Sequence, residues 1–471
     1  MTDRVDLADL HERPTVLLPE RTLLHDGIRT GQGVLVADGR VAEVGEADVV
    51  QERHPGAAVV RLPRRLLMPG LVDAHHHLTQ SFGKSLVFGE PSEIFRRVWV
   101  PMEAHLDEEA IDVATRLAAW ESLRGGFTTV ADAGTRATVD GGVERLAEAA
   151  GAVGVRCVLG TICNDLVGGE RVAEVDDVLA AAGEHLHKWE GHDLVQPSLA
   201  VSIPEVASDE MLTRVTALAR EAGVTFQTHL NEHLAAVERS LEATGMRPLE
   251  RLAHLGALGP ELLAAHTTLL TPREITLLRD SGGAISYNPV ASAWKGNAVA
   301  PALLMHELGV RVGLGTDGTR GDAFRMLDAA ETAQRLVHGL PSGDSSVGGG
   351  WTWLERGLTG GADAVGLAGQ IGEISAGAHA DLLVLTLDVP ELVPSWDLPW
   401  ELVRLAGRDQ IESVVVGGRL RVRDGRPLGV DGDALLDRAR EIAERAVERA
   451  PIHKIHPFSA DHRASGQVAH A

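Results

Sequence analysis

The order of apolar and polar positions divides the chain into three regimes. Residues 15–66 hold short runs, with Thr15–Leu18, Gly33–Ala37, Val41–Val44 and Val59–Leu62 reading as strands. Asp26-Gly27 and Asp38-Gly39 supply hairpin-type turns among them. From Leu71 to about Leu367 the pattern changes to strand, loop and helix, repeated. Apolar runs at Leu71, Thr128–Val130, Val155–Leu159, Gln196–Val201, Thr225–Thr228, Leu262–Ala265, Gly283–Ser286 and Val310–Leu314 are the strand candidates. Between them lie amphipathic stretches such as Asp107–Leu123, Val143–Ala150, Asp209–Ala222, Ala235–Thr244 and Pro272–Asp280. After Gly372 short strands return at Ala380–Thr386, Ile411–Val416 and Arg419–Arg423, followed by a charged amphipathic helix from Asp431 to Ala450.

Short, near-continuous apolar strands separated by helices belong to a parallel sheet covered on both faces. Eight such units predict an α/β fold, a (β/α)8 TIM barrel whose functional residues lie at the C-terminal ends of the strands. The β-rich ends flank the barrel in sequence and are expected to meet as one small β-sandwich. The expected divisions are 1–68 and 368–430 for the sandwich, 69–367 for the barrel, and 431–471 for the C-terminal helix and tail. That tail is aperiodic, and its His453, His456, His462 and His470 read as solvent-exposed.

Composition narrows the partners. With 44% hydrophobic and 24% charged residues, the 471-residue chain can bury a large core. A net charge of −23 argues against nucleic acid or an anionic membrane as partner, and no run of about twenty apolar residues predicts a membrane span. Residues 1–14 are charged and lack the apolar core of a secretory signal. The two cysteines, Cys157 and Cys163, read as reduced buried thiols of a cytoplasmic protein.

The candidate chemistry lies at the predicted strand ends. Strand one runs into His75-His76-His77, and strand alternation puts His75 and His77 on one face and His76 on the other. Strand five runs into His229-Leu230-Asn231-Glu232, strand six into His266, and strand eight into Thr316-Asp317-Gly318. Imidazoles and carboxylates from four strand ends converging on one mouth predict a metal site. His229 to His233 also matches the His-x-x-Glu-His pattern of zinc peptidases, which needs a helix. The β-branched and aromatic run Val224–Thr228 argues instead that His229 ends a strand.

Pro69–His77, Thr228–Glu232, Ala265-His266 and Gly315–Gly318, with the late segments Ile371–Ile374 and Gly377–Leu385, resemble the amidohydrolase superfamily along nearly the whole chain. Within it they are similar to the branch of heterocycle deaminases and triazine chlorohydrolases. The resemblance implies one divalent ion, zinc or iron(II), held by His75, His77, His229 and Asp317. It implies that Asp317 accepts the proton of the attacking water, that His266 orients that water, and that Glu232 protonates the ring nitrogen beside the attacked carbon. The function so implied is hydrolytic deamination of a purine, pterin, pyrimidine or triazine ring. Removal of chloride or alkylamine from an s-triazine is the alternative, and an inactive scaffold the remote one. No barrel lysine stands in an evident bridging position, which fits a single ion. A homo-oligomer is also implied.

Substrate contacts are expected from Gln80, three residues past His77, and from Trp99, Asn288, Asp322 and the Ile203-Pro204-Glu205 turn. Asp322 reads equally well as a helix cap. Tyr287 departs from the family's pattern, and Trp351, Trp353, Trp396 and Trp400 read chiefly as packing between barrel and sandwich.

Overall fold

The computed structural model describes residues 7, 10–90, 93–343 and 348–453. Its centre is an eight-stranded parallel sheet: β1 (Leu71–His76), β2 (Phe127–Asp132), β3 (Arg156–Ile162), β4 (Val195–Ala200), β5 (Phe226–Leu230), β6 (Leu262–His266), β7 (Ala284–Tyr287) and β8 (Arg311–Leu314). Each strand pairs with its neighbour in sequence order. The sheet closes into a (β/α)8 barrel where the Thr316 and Asp317 amides both donate to the His75 carbonyl, at 3.1 and 2.8 Å. The barrel therefore closes at its candidate metal ligands.

The helices form where the sequence supplies caps as well as periodicity. Asp107 caps Glu108–Arg124 by accepting from the Ala110 amide. Ser208 caps Asp209–Ala222, and Thr271 with Glu274 forms a reciprocal capping box at Pro272–Ser281. Glycines in the left-handed region, Gly223 and Gly282 among them, end these helices. Between the helices and the strands lies the main core, in which Phe127, Phe226, Leu278 and Leu314 are fully buried.

The two chain ends meet in a nine-stranded sheet. Leu382–Thr386 lies antiparallel to Ala58–Pro69, the strand that leads into β1, with Leu382 opposite Pro69. This sheet has its own core, including Leu17, Val34, Leu62, Leu67, Val384 and Val415. It is tied to the barrel floor by Arg156, the first residue of β3, whose guanidinium meets Asp381 at 2.9 and 3.2 Å.

The helix Gly432–Arg449 buries Leu435, Ala439, Ile442 and Ala446 on one face, as its pattern predicts. Val447, Ala450 and Ile452 then pack around Val98 and Trp99, so the C-terminal segment supports the upper loops of the barrel. His453 is exposed; His456, His462 and His470 lie outside the described residues.

Cys157 and Cys163 are free and buried, and burial pushes the Cys163 thiol up to about 12. No described helix is long and apolar enough to cross a membrane.

Tyr287 points away from the barrel axis. Its hydroxyl donates to the Ala330 carbonyl at 3.4 Å, and its ring lies 6.4 Å from that of Trp353. Trp353 is fully buried among barrel helices, and Trp351 and Trp400 pack partly against the same core. Trp396 is 89% exposed and does not share the packing role expected of it.

Candidate metal centre and substrate pocket

The strand carrying His75 and His77 is irregular. In the β1–β2 ladder the register shifts between Asp73 and His76, so a bulge replaces strict alternation. His77 falls just past the strand, at the start of the 3-10 turn Leu78–Val87. The next turn is fixed by Asp132 at the end of β2, which accepts from the Leu78 and Gly134 amides at 2.7 Å each. Burial pushes the Asp132 carboxyl up to about 6, over the opposing pull of those two amides. His75 and His77 still converge, with ring centroids 4.8 Å apart. His76 turns to the seam between β1 and β8, where Nδ1 lies 2.8 Å from Thr316 Oγ1 and 3.2 Å from Asp73 Oδ2.

His229 sits on β5, and its Nδ1 donates to the Ser202 carbonyl at 2.7 Å, leaving the Nε2 lone pair free for the site. His233 starts the helix Leu234–Thr244 on an extended backbone, so the two histidines do not share a helical face. Glu232 lies between them, Oε2 3.2 Å from His233 Nε2.

His266, at the end of β6, has φ of +71°, and Asp317 has φ of +57°. Such backbone costs a non-glycine residue roughly 1–2 kcal/mol and is held by its surroundings. For His266 those include Asn288. The Ser286 hydroxyl donates to Asn288 Oδ1 at 2.8 Å, which turns the Asn288 amide nitrogen onto His266 Nδ1 at 3.2 Å. A ring that accepts at Nδ1 carries its proton on Nε2, which faces Glu232 Oε1 at 3.6 Å and Asp317 Oδ2 at 3.7 Å.

One ligand atom each from His75, His77, His229 and Asp317 lies within 4.8 Å of the others. His77 Nε2 is 3.2 Å from His229 Nε2, and Asp317 Oδ1 is 3.4 Å from His77 Nε2 and 3.7 Å from His75 Nε2. Ligand atoms ~2.1 Å from a tetrahedral zinc stand about 3.4 Å apart, so these spacings fit one ion. His75 Nε2 is buried without a hydrogen-bond partner. Burial holds the His75 and His229 rings at about 3 and His77 well below its ordinary value, so all three are neutral at physiological pH, as metal ligation requires. The residues present fit a divalent ion.

The side chain that sequence reading missed is Lys295. It ends the helix Pro289–Lys295, which follows β7, and is 4% exposed. Its ammonium stands 2.8 Å from Glu232 Oε1 and 2.5 Å from Asp317 Oδ2. A lysine is therefore present in the site, its ammonium between the two carboxylates Glu232 and Asp317. Burial opposes ionisation of both acids. For Asp317 the Lys295 charge outweighs it first and then His266; for Glu232 the order is His266 and then Lys295, and both acids are held well below the usual carboxylate range. Asn297 adds a 3.0 Å bond to Glu232 Oε1.

A cavity of about 420 Å³ opens beside this cluster, lined by His77, Gln80, Trp99, Arg136, His229, Glu232, Lys295 and Asp317. Gln80 donates to Glu103 at 3.2 Å and leaves its buried carbonyl oxygen unpaired, as Trp99 leaves its indole N–H. Phe95, Ile203 and the short hairpin around Leu166–Val167 complete the walls. Two expected contacts lie elsewhere. Asn288 is behind His266 and off the cavity wall, so the structure makes it a positioning group. Asp322 caps Ala323–Gln334, accepting from the Arg325 amide at 3.2 Å, and pairs with Arg320; this corrects the substrate reading in favour of the cap. A larger cleft, about 760 Å³, lies at the barrel floor beside Arg156 and His379, away from this chemistry.

Residues 66–421 match the model of the family described as Amidohydrolase family. The chain is 31% identical to a 5-methylthioadenosine/S-adenosylhomocysteine deaminase of Syntrophobacter fumaroxidans over 425 residues, 90% of this chain and 95% of that protein. It is 30% identical to a 5'-deoxyadenosine deaminase of Methanopyrus kandleri, over 91% of this chain and 96% of the relative. Among solved structures, an adenosine deaminase from Xanthomonas campestris with bound zinc superposes with a TM-score of 0.84 at 26% identity, covering 92% of this chain and 98% of its own. An atrazine chlorohydrolase from Arthrobacter aurescens complexed with zinc shares the fold, with a TM-score of 0.82 at 21% identity over 91% of this chain and 100% of its own.

Proposed function

The chain belongs to the amidohydrolase family and is a hydrolase of C–N bonds, and from that premise we propose that it is a zinc-dependent aminohydrolase of a nitrogen heterocycle, releasing ammonia. The observation that carries this reading is the placement of Glu232, His266 and Asp317, whose polar atoms lie within 4.8 Å of one another beside the four-ligand cluster. His75, His77, His229 and Asp317 would hold the ion. When bound, it lowers the pKa of a coordinated water toward neutrality.

The chain's own residues then divide the work. Asp317 turns Oδ1 to the histidines and Oδ2 to Lys295 and His266, and it accepts the proton that the attacking water gives up. His266 presents Nε2–H, orienting the attacking oxygen and stabilising the charge that develops on it. Glu232 protonates the ring nitrogen beside the attacked carbon, which makes that carbon far more electrophilic. Because Glu232 starts as a carboxylate, it takes on from Asp317 the proton that water gives up and passes it to the ring nitrogen; the two carboxylates lie within 4.8 Å of each other. The second proton, left on the oxygen now bound to carbon, would pass through the same two carboxylates to the amino group as the carbonyl forms and the C–N bond breaks, so that ammonia departs. Gln80 and Trp99 line the cavity where a flat ring would sit.

Loss of chloride or alkylamine from an s-triazine is the second reading; Lys295 favours its chloride branch, because an ammonium attracts a departing anion. The protein is read as cytoplasmic and self-associating; reduced buried thiols suit the first, and a light-scattering mass tests the second.

The deciding experiment measures ammonia across a panel of aminated purines, pterins, pyrimidines and triazines, with zinc-loaded wild type beside Glu232→Gln. Deamination predicts release from at least one ring and a loss of about 10²–10⁴-fold in the variant, with zinc retained. Chloride or alkylamine release without ammonia would replace this reading by the second.

A further inference from the structure

The polar side chains at the mouth fall into two sets that share one residue. His75, His77, His229 and Asp317 form the first, and Glu232, His266 and Asp317 form the second. Within the second set His266 Nε2 lies 3.6 Å from Glu232 Oε1 and 3.7 Å from Asp317 Oδ2. Ligand atoms of a tetrahedral zinc stand about 3.4 Å apart, so these spacings also suit a cation. All three side chains are buried, and His266 Nε2 has no hydrogen-bond partner. Asp317 turns Oδ1 to the histidines of the first set and Oδ2 to the second. A carboxylate placed in this way can bridge two cations, as in two-metal sites.

The second position already holds a positive charge. Lys295 Nζ stands 2.8 Å from Glu232 Oε1 and 2.5 Å from Asp317 Oδ2, one charge-assisted contact to each carboxylate. The Trp99 ring covers another side of the ammonium, its centroid 5.1 Å from Nζ. Lys295 is 4% exposed and is the last residue of the helix Pro289–Lys295, which Gly296 ends in the left-handed region. The ammonium is thus anchored directly after β7 and delivered from within the fold. His266 meets this arrangement with a proton on Nε2, but that tautomer is reversible. If the Asn288 amide turns over, the Ser286 hydroxyl accepts from its nitrogen and Asn288 Oδ1 accepts from His266 Nδ1–H. Nε2 then offers a lone pair.

We propose that Glu232, His266 and Asp317 form a second cation site whose occupant is the Lys295 ammonium, and that this lysine limits the centre to one divalent ion. A metal ion and the ammonium compete for the same two carboxylate oxygens. The ammonium prevails because its tether keeps its effective concentration beside them high. The proposal rests on the four-ligand cluster holding an ion and is independent of the leaving group.

The test loads metal-stripped wild type and Lys295→Met with zinc, removes unbound ion and counts what is retained. The expected result is one equivalent in wild type and two in the variant. Zinc added beyond the first equivalent should raise the unfolding temperature of Lys295→Met and leave that of wild type unchanged. Loading with manganese(II) locates the second ion, because two ions that share Asp317 give a spin-coupled electron paramagnetic resonance spectrum. Lys295→Ala serves for the same measurements if the methionine variant does not fold. One equivalent in the variants, or a second ion with an uncoupled spectrum, would overturn the proposal. Two equivalents in wild type would do the same. Wild type that binds no zinc would sink the reading of the four-ligand centre itself, and this proposal with it.

Discussion

At the N-terminal ends of the barrel strands, Arg156 on β3 meets Asp381 through two bonds and the Asp193 carbonyl through a third, at 2.6 Å. Arg311 on β8 likewise meets Asp363, the Pro260 carbonyl and the Gly282 carbonyl. At the C-terminal ends of the same strands, His75 Nε2 and His266 Nε2 are buried without hydrogen-bond partners, and Asn231, His266, Thr267 and Asp317 all hold left-handed backbone. At the floor Arg156 and Arg311 are fully met by carboxylates and carbonyls; at the mouth ligand nitrogens stay unpartnered and left-handed residues are held in place. Groups that a stable core would pair are held open where a ligand completes them, so the two ends should respond to mutation in different quantities: stability at the floor, metal and turnover at the mouth.

The sharpest break of that comparison is His77→Ala. Removing one ligand of the cluster should cost more than about 10³-fold in ammonia release, the scale expected when the activated water is lost, while the thermal unfolding of metal-stripped protein stays close to that of wild type. Next comes the floor. Asp381→Asn leaves the buried Arg156 guanidinium, 6% exposed, without its counter-charge and should destabilise the fold by about 3–5 kcal/mol in denaturant unfolding, with kcat unchanged in the molecules that remain folded. The smallest expected effect belongs to Asn288→Ala. It frees His266 Nδ1, and the ring can then adopt the other tautomer. A fall of about 10–100-fold in kcat with full zinc content is expected, and loss of zinc would show that Asn288 supports the metal site itself.

Much of this contrast was legible in the sequence. The eight barrel strands are buried on both faces, so they stand out as short, near-continuous apolar runs, and barrel topology then gathers His75, His77, His229, His266 and Asp317 from distant positions. What escaped depends on shape between the strands. The bulge in β1 is a register shift that leaves no pattern in composition. Lys295 reaches the site only because Pro289–Lys295 forms one short helix directly after β7, and periodicity in so few residues identifies no face. Asp132 is hidden within an apolar run, and only the strand's length places its carboxylate beneath Leu78. The departure at Tyr287 proved to be a matter of packing, because adjacent strand residues face opposite ways and Ser286 is the one turned to Asn288.

The central claim is that the open groups at the mouth are a preformed site for one divalent ion. Calorimetric titration of metal-stripped wild type and His77→Ala with zinc tests it most directly. The account predicts one equivalent bound tightly by wild type, with ammonia release restored in step, and binding that is lost or greatly weakened in the variant. Wild type that takes up no zinc, or a variant that binds it as well as wild type does, would contradict it.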